Sequence, residues 1–259
     1  MKLKYFDLTF ELISRDFYGR YKGSLGGAFW AFIEPLFLLS IYSFAFGFIL
    51  KSKWGSDSLN VGDYSLKIFS GLIVFNALAE CINRSSICIL QNKNFVKKIN
   101  FPLAILPLVT AITAMIHASI SVFIWYLGDF ILNGNIEIKS LFFPCIYLLI
   151  FPIILGISYI FSSLGVFIKD LSQINFMVTQ SLLFISPIFY SLNMVPDKFR
   201  NILLFNPLTY IIEAMRSVLF FGELPGFSSY CLYLFFACVF ALFGFLFFWV
   251  TKKQFSDLL

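Results

Sequence analysis

Five ionisable residues lie inside long apolar runs: Glu34, Lys67, Glu80, Arg84 and Asp129. Charge inside hydrocarbon is costly, so each marks either a functional position or a span end from which its side chain reaches the interface. They do not make the row of mid-membrane acids that a proton-coupled carrier needs. The one histidine, His117, falls in an apolar run with no other ligand-type residue at metal-binding spacing, and a hydrogen-bonded structural role is expected of it. Neither H-E-x-x-H nor G-x-S-x-G occurs, and the phosphate loop G-x-x-x-x-G-K-[ST] is absent down to the dipeptide Gly-Lys, so ATP is not bound in that way. No catalytic residue, metal site or bound cofactor is expected in this chain. Cys81, Cys88, Cys145, Cys231 and Cys238 lie in or beside apolar runs without zinc or redox spacing, and read as apolar filler.

The elements that would position these groups are set by the composition. Of 259 residues, 59% are hydrophobic, 20% aromatic and only 13% charged, with a mean hydropathy of +0.87. Soluble domains hold about 25% charge, so this is a membrane chain, read as one unit over 1–259. A net charge of +5 does not imply nucleic acid here, because placement of Lys and Arg decides in a membrane protein. Six runs are long enough to cross a bilayer: 29–50, 64–86, 103–132, 141–167, 174–192 and 230–250. The connecting pieces on the side of the N-terminus hold 11 Lys and Arg against 6 on the other side, which predicts both termini in the cytoplasm. The charged first residues lack the h-region of a signal peptide, so the N-terminus is expected to be retained.

Before the first run, Phe6, Phe10, Ile13, Phe17 and Tyr21 recur at helical spacing opposite Asp7, Glu11, Ser14, Tyr18 and Lys22. This predicts an amphipathic helix over 4–22, either lying in the membrane interface or packed on the protein's own surface. The stretch 193–229 holds "LTYIIEAMRSVLFF", too short to span and carrying Glu213 and Arg216 at i, i+3. Two short helices near 197–205 and 208–221, parted by Asn206-Pro207, are expected to form a re-entrant or external cap between spans five and six.

Four segments carry a resemblance: "RDFYGRYKGSLGGAFWAFIEPL" at 15–36, "NFVKKINFPLAILPL" at 94–108, "IKDL" at 168–171, and "SPIFYSLNMVPDKFRNILLFNPLTYIIEAMRSVLFFGELP" at 186–225. In order and over nearly the whole chain, they resemble the membrane subunit of bacterial polysaccharide exporters of the type-2 ABC permease family. Gly26-Gly27 stands where that family more often shows Leu-Gly, and Glu34-Pro35 where many members carry Asn-Pro. The resemblance implies a homodimer working with two separate ATP-binding cassette ATPase subunits, which hold the ATP and magnesium. It implies export of an O-antigen-like glycan on undecaprenyl diphosphate across the bacterial inner membrane, with no covalent chemistry by the permease and no nucleic-acid partner.

On that reading Arg15, Arg20 and Lys22 attract the lipid diphosphate, since guanidinium groups fork onto phosphate oxygens. A positive-inside bias explains the same residues. Gly23 and Gly27 either admit a close helix neighbour or let the chain turn into the first span, Trp30 anchors that span at the interface, and Glu34-Pro35 break its ladder beside a cavity. "NKNFVKKINFP" at 92–102 resembles the coupling helix pressed on the ATPase, with Phe95, Val96 and Ile99 filling a partner groove and Lys97 and Lys98 meeting acids. Lys169 and Asp170 form the second contact. Phe29, Trp30, Phe37, Tyr42, Phe44, Phe184, Phe189 and Tyr190 are candidates to line a glycan channel, or else core packing. Rival readings are a type-2 permease for capsule, teichoic acid, drug or free lipid, and a multi-span transferase, for which His117 and Asp129 are poor candidates as catalytic groups.

Overall fold

The computed structural model describes residues 2–49, 61–96, 101–134 and 138–258, and among them every regular element is helical. The elements are α1 (Lys2–Gly19), α2 (Trp30–Tyr42), α3 (Val61–Gln91), α4 (Lys93–Val96), α5 (Ile105–Asn133), α6 (Phe143–Tyr147), α7 (Phe151–Phe167), α8 (Leu171–Ile185), α9 (Asp197–Leu204), α10 (Pro207–Arg216), α11 (Phe227–Thr251) and α12 (Phe255–Leu258). Among the described residues, five helices are long and apolar enough to cross a membrane, or six if the bent pair α9–α10 counts as one span. The chain is therefore an all-α integral membrane protein, as its hydropathy predicts.

α3 is the central helix: 83% of its apolar window is buried, against 17% for the windows of the first and last spans. α5 and α7 pack on α3, α11 leans on α7, and α2 and α8 rest against α3. Small residues set the crossings. A Cβ on Gly165 would collide with the Ser86 carbonyl oxygen, and one on Gly244 with that of Gly156. Without a hydrophobic drive between helices in lipid, such close approach is what holds a bundle together. Serines add polar ties between α3, α5 and α7. The Ser85 and Ser158 hydroxyls are 2.8 Å apart, and Ser158 donates to the Pro107 carbonyl at 2.7 Å. Trp125 and Tyr147 fill the main core and satisfy their polar tips on the carbonyls of Leu66 and Met115.

The two ends of the bundle differ. One gathers α1, α4, the α7–α8 turn and the C-terminal segment around a second small core of Cys88, Ile89, Leu106, Tyr159, Phe248 and Phe255. The other carries α9 and α10, bent 98° at Asn206-Pro207, which are the two short helices the sequence predicts. The expected fifth span, 174–192, is corrected: its helix is α8, 15 residues ending at Ile185. Pro187 crowds the residue before it out of the helical region, and Ser186 is extended at φ −80°, ψ 145°.

Candidate functional site

The C-terminal half of α1 and the turn that follows it are fastened to α3 and α5 by charge. Arg20 Nη2 donates to Glu80 Oε1 at 2.6 Å, and His117 Nδ1 lies 2.8 Å from the same oxygen. Arg84 Nη2 donates to Asp16 Oδ1 at 2.5 Å, with its Nη1 3.7 Å from Glu80. The Phe17 ring stacks on His117 at 5.0 Å, and Tyr21 is buried beside it. Burial works against the Arg20 cation, but the Glu80 carboxylate outweighs it and raises the Arg20 pKa above the ordinary guanidinium value. Phe6 and Phe10, on the earlier turns of α1, stay exposed. The helix thus packs its later turns on its own protein and leaves the apolar side chains Phe6 and Phe10 facing outward.

Beside this network lies a cavity of about 490 Å³ lined by Arg20, Tyr21, Glu34, Pro35, Asn76 and His117. Glu34 and Pro35 face it as expected, although α2 runs through both without interruption. Of the two readings of Gly23 and Gly27, the structure supports the turn. Their φ values are +89° and +50°, and a Cβ on either would meet nothing within 4 Å. The Trp30 ring folds over Gly26, where a Cβ would lie 2.9 Å from its Nε1.

Of the aromatic candidates, the structure gathers Tyr42, Phe184 and Phe189. Phe189 centres a cluster with Tyr42, Phe46 and Phe184 at 6.0–6.4 Å, and Phe46 reaches Tyr64 at 5.8 Å. Phe46 and Tyr64 escaped the sequence reading, although Phe46 stands one helical turn beyond Tyr42. Tyr190 bonds the carbonyls of Phe184 and Ile185, and with Phe184, Met194 and Phe199 borders an apolar groove of about 450 Å³. Phe29, Trp30, Phe37 and Phe44 are exposed along the first span, outside that cluster. α2 and α8 therefore leave an aromatic flank open on the single chain.

In the coupling segment, Phe95 is half-buried against its own chain, where it stacks on Phe101 at 4.5 Å and lies 5.3 Å under the Arg15 guanidinium. The ring is thus seated partly in the second small core of its own chain. Arg15 also donates to Asn92 at 3.1 Å. Val96 ends α4, and Lys97, Lys98 and Ile99 lie outside the described residues. Lys169 and Asp170 are exposed in the turn before α8. Lys22 is exposed, whereas Arg15 and Arg20 make the contacts given above.

The remaining buried charges sit toward the cap. Lys67 Nζ lies 4.9 and 5.0 Å over the Phe220 and Phe221 rings, and Asp129 accepts from Asn133 at 2.9 Å. Asp16 and Arg216 belong to these networks but were not singled out as site residues from sequence. Glu80 and Arg84 stand four residues apart on α3, a spacing that could have flagged the first network.

Comparison with known proteins finds similar chains over most of this length. The chain is 28% identical over 232 residues to an O-antigen export system permease protein RfbA of Klebsiella pneumoniae, covering 86% of each chain. It is 20% identical over 224 residues to a protein of the same description from Myxococcus xanthus, covering 86% of this chain and 84% of that one. It is 27% identical over 210 residues to the polysialic acid transport protein KpsM of Escherichia coli, covering 78% of this chain and 76% of that one. The model of the ABC-2 type transporter family matches residues 7–220, a stretch that takes in the charged α1 network, the aromatic flank and the cap, and the chain belongs to that family.

Proposed function

We propose that this chain is the membrane subunit of an ATP-driven exporter of lipid-linked polysaccharide, acting as a homodimer with two ATPase subunits bound at the end that gathers both termini. That end is then cytoplasmic and the α9–α10 cap external, in the bacterial inner membrane. The observation that carries this reading is the open aromatic flank of α2 and α8, which a second copy would close into a conduit. Aromatic faces stack on the C–H surfaces of sugar rings and tolerate sliding, as a moving glycan requires. Relatives named for O-antigen and for polysialic acid support polysaccharide as the shared cargo class.

In this mechanism a lipid diphosphate, such as that of an undecaprenyl carrier, is drawn to Arg15, Arg20 and Lys22 at the headgroup level. The turns at Gly23 and Gly27 carry the chain from α1 into α2, so the basic residues lie next to the start of the flank. ATP bound by the partner subunit supplies the work through the 92–99 segment and the Lys169-Asp170 turn. Arg15 joins α1 to that segment through Asn92 and Phe95, which ties the headgroup site to the coupling site. This chain itself holds the cargo, guides it and excludes lipid.

The test is co-reconstitution of this chain with its co-purifying ATPase in proteoliposomes loaded with a lipid-linked glycan. ATP-dependent appearance of glycan in the opposite compartment is expected. Purification in mild detergent without any ATPase, or equal transport of glycan-free lipid, would overturn the reading.

A further inference from the structure

Arg216 is 3% exposed and lies at the cap end, away from the α1 network. Its guanidinium donates to three backbone carbonyls on two other segments: Pro187 at 2.5 Å, Ile188 at 2.7 Å, and Lys67 at 3.2 and 3.3 Å. Glu213, one turn back on α10, accepts from it at 3.1 Å. The Pro187 and Ile188 carbonyls belong to the stretch where α8 has ended, so no helix ladder provides for them, and at membrane depth such groups must be satisfied by the protein. Gly71 leaves room for the fork, since a Cβ there would lie 3.2 Å from Nη2 and 3.5 Å from the Ile188 Cα. Only a planar, many-donor cation bridges three carbonyls in this way.

We propose that Arg216 is a positioning residue that locks α10 and the α8 terminus onto α3, so that the outer cap opens by rotation of α9 about Asn206-Pro207 while α10 stays with the frame. Release of Arg216 would strand a buried cation together with the Pro187 and Ile188 carbonyls, since the Lys67 carbonyl keeps the Ser70 hydroxyl, whereas α9 buries only Leu203. The joint at Asn206 is made of lighter bonds: its Oδ1 caps α10 at the Leu208 amide, and its Nδ2 donates to Ser186 at 2.9 Å. The naming of the cap as a gate rests on the exporter reading. The anchoring of α10 does not.

Amide hydrogen exchange on the full chain with its ATPase in lipid nanodiscs tests both parts. Arg216→Lys keeps the cation and loses the fork, so exchange over 208–219 should quicken by about tenfold while α5 and α7 hold their protection. Gly71→Ala, with Arg216 intact, should quicken the same amides by a smaller factor. In the unaltered protein, ATP with vanadate should change exchange over 197–206 and leave 208–219 as it was. Unchanged protection at 208–219 in the Lys variant overturns the anchor, and if that variant does not accumulate, the same result in Gly71→Ala does so. Quickening of 208–219 together with α9 on nucleotide binding, or no change in α9, overturns the assignment of moving parts. If nucleotide alters exchange nowhere in the unaltered complex, the exporter reading fails, and the two variants still decide the anchor.

Discussion

The two ends of this bundle bury charge in opposite ways. At the end with both termini, Glu80, Arg20, Arg84, Asp16 and His117 meet side chain to side chain across three helices, and several remain partly exposed. At the cap end, Arg216 is sealed and bonds mainly to backbone carbonyls. Side-chain ion pairs can exchange partners and leave the backbone satisfied. An arginine that supplies donors to an unwound backbone cannot leave without orphaning it. The first arrangement suits a latch and the second a fixed joint, so the polypeptide places its adjustable charge at the end that gathers both termini and its fixed charge beside the α9–α10 cap.

The largest predicted effect lies at the joint. Arg216→Met removes the guanidinium donors to the Pro187 and Ile188 carbonyls, while Lys67 keeps the Ser70 hydroxyl, and should cost about 3–5 kcal/mol, read as loss of yield and a lower Tm in mild detergent. Glu80→Gln comes next. It takes the shared anion from Arg20, Arg84 and His117, at about 1–3 kcal/mol, and should release α1 before it melts the bundle. Trypsin cleavage after Arg15 and Arg20 should accelerate in Glu80→Gln while the Tm moves little. Equal acceleration of cleavage at Arg200, near the cap, would erase the contrast between the two ends.

The difference between the ends also explains what was legible in the sequence. Apolar run length located the five long apolar helices to within about five residues at each end, because hydrocarbon thickness fixes that length. The cap helices were legible from Asn206-Pro207 and from an internal Glu213–Arg216 pair in a run too short to cross. Span five was misjudged because its apolar composition continues past Pro187, while the backbone obeys the proline and leaves the helix at Ser186. Glu80, Arg84 and His117 were visible as separate oddities, but the partners of Glu80 and Arg84, Arg20 and Asp16, sit 60 and 68 residues away at the end of α1, a distance no local pattern spans. Arg216 looked like half of an i, i+3 pair; its main partners are carbonyls, which every residue has and sequence therefore cannot flag. Gly156, Gly165 and Gly244 were silent for the same reason, since a crossing point needs smallness on two helices at one depth.

Smaller effects sharpen the latch. Arg84 and Asp16 are each 26% exposed, so Asp16→Asn should cost only about 0–1 kcal/mol, and most of that should vanish in high salt. A salt-independent loss would mean that the pair is structurally fixed like Arg216, and the two ends would then be alike. The smallest effect on stability is expected at Lys22, which is exposed and follows the network in sequence. Lys22→Gln should leave Tm and trypsin cleavage after Arg15 and Arg20 unchanged, within about 0.5 kcal/mol. Arg15→Gln, in contrast, removes the bond to Asn92 and the contact with Phe95 and loosens α1 from the coupling segment. If the basic residues attract a diphosphate, Lys22→Gln still slows ATP-driven glycan delivery, and the loss deepens at higher ionic strength as the remaining attraction is screened. Unaltered delivery in Lys22→Gln with reduced delivery in Arg15→Gln would instead assign the basic residues of α1 to the latch alone.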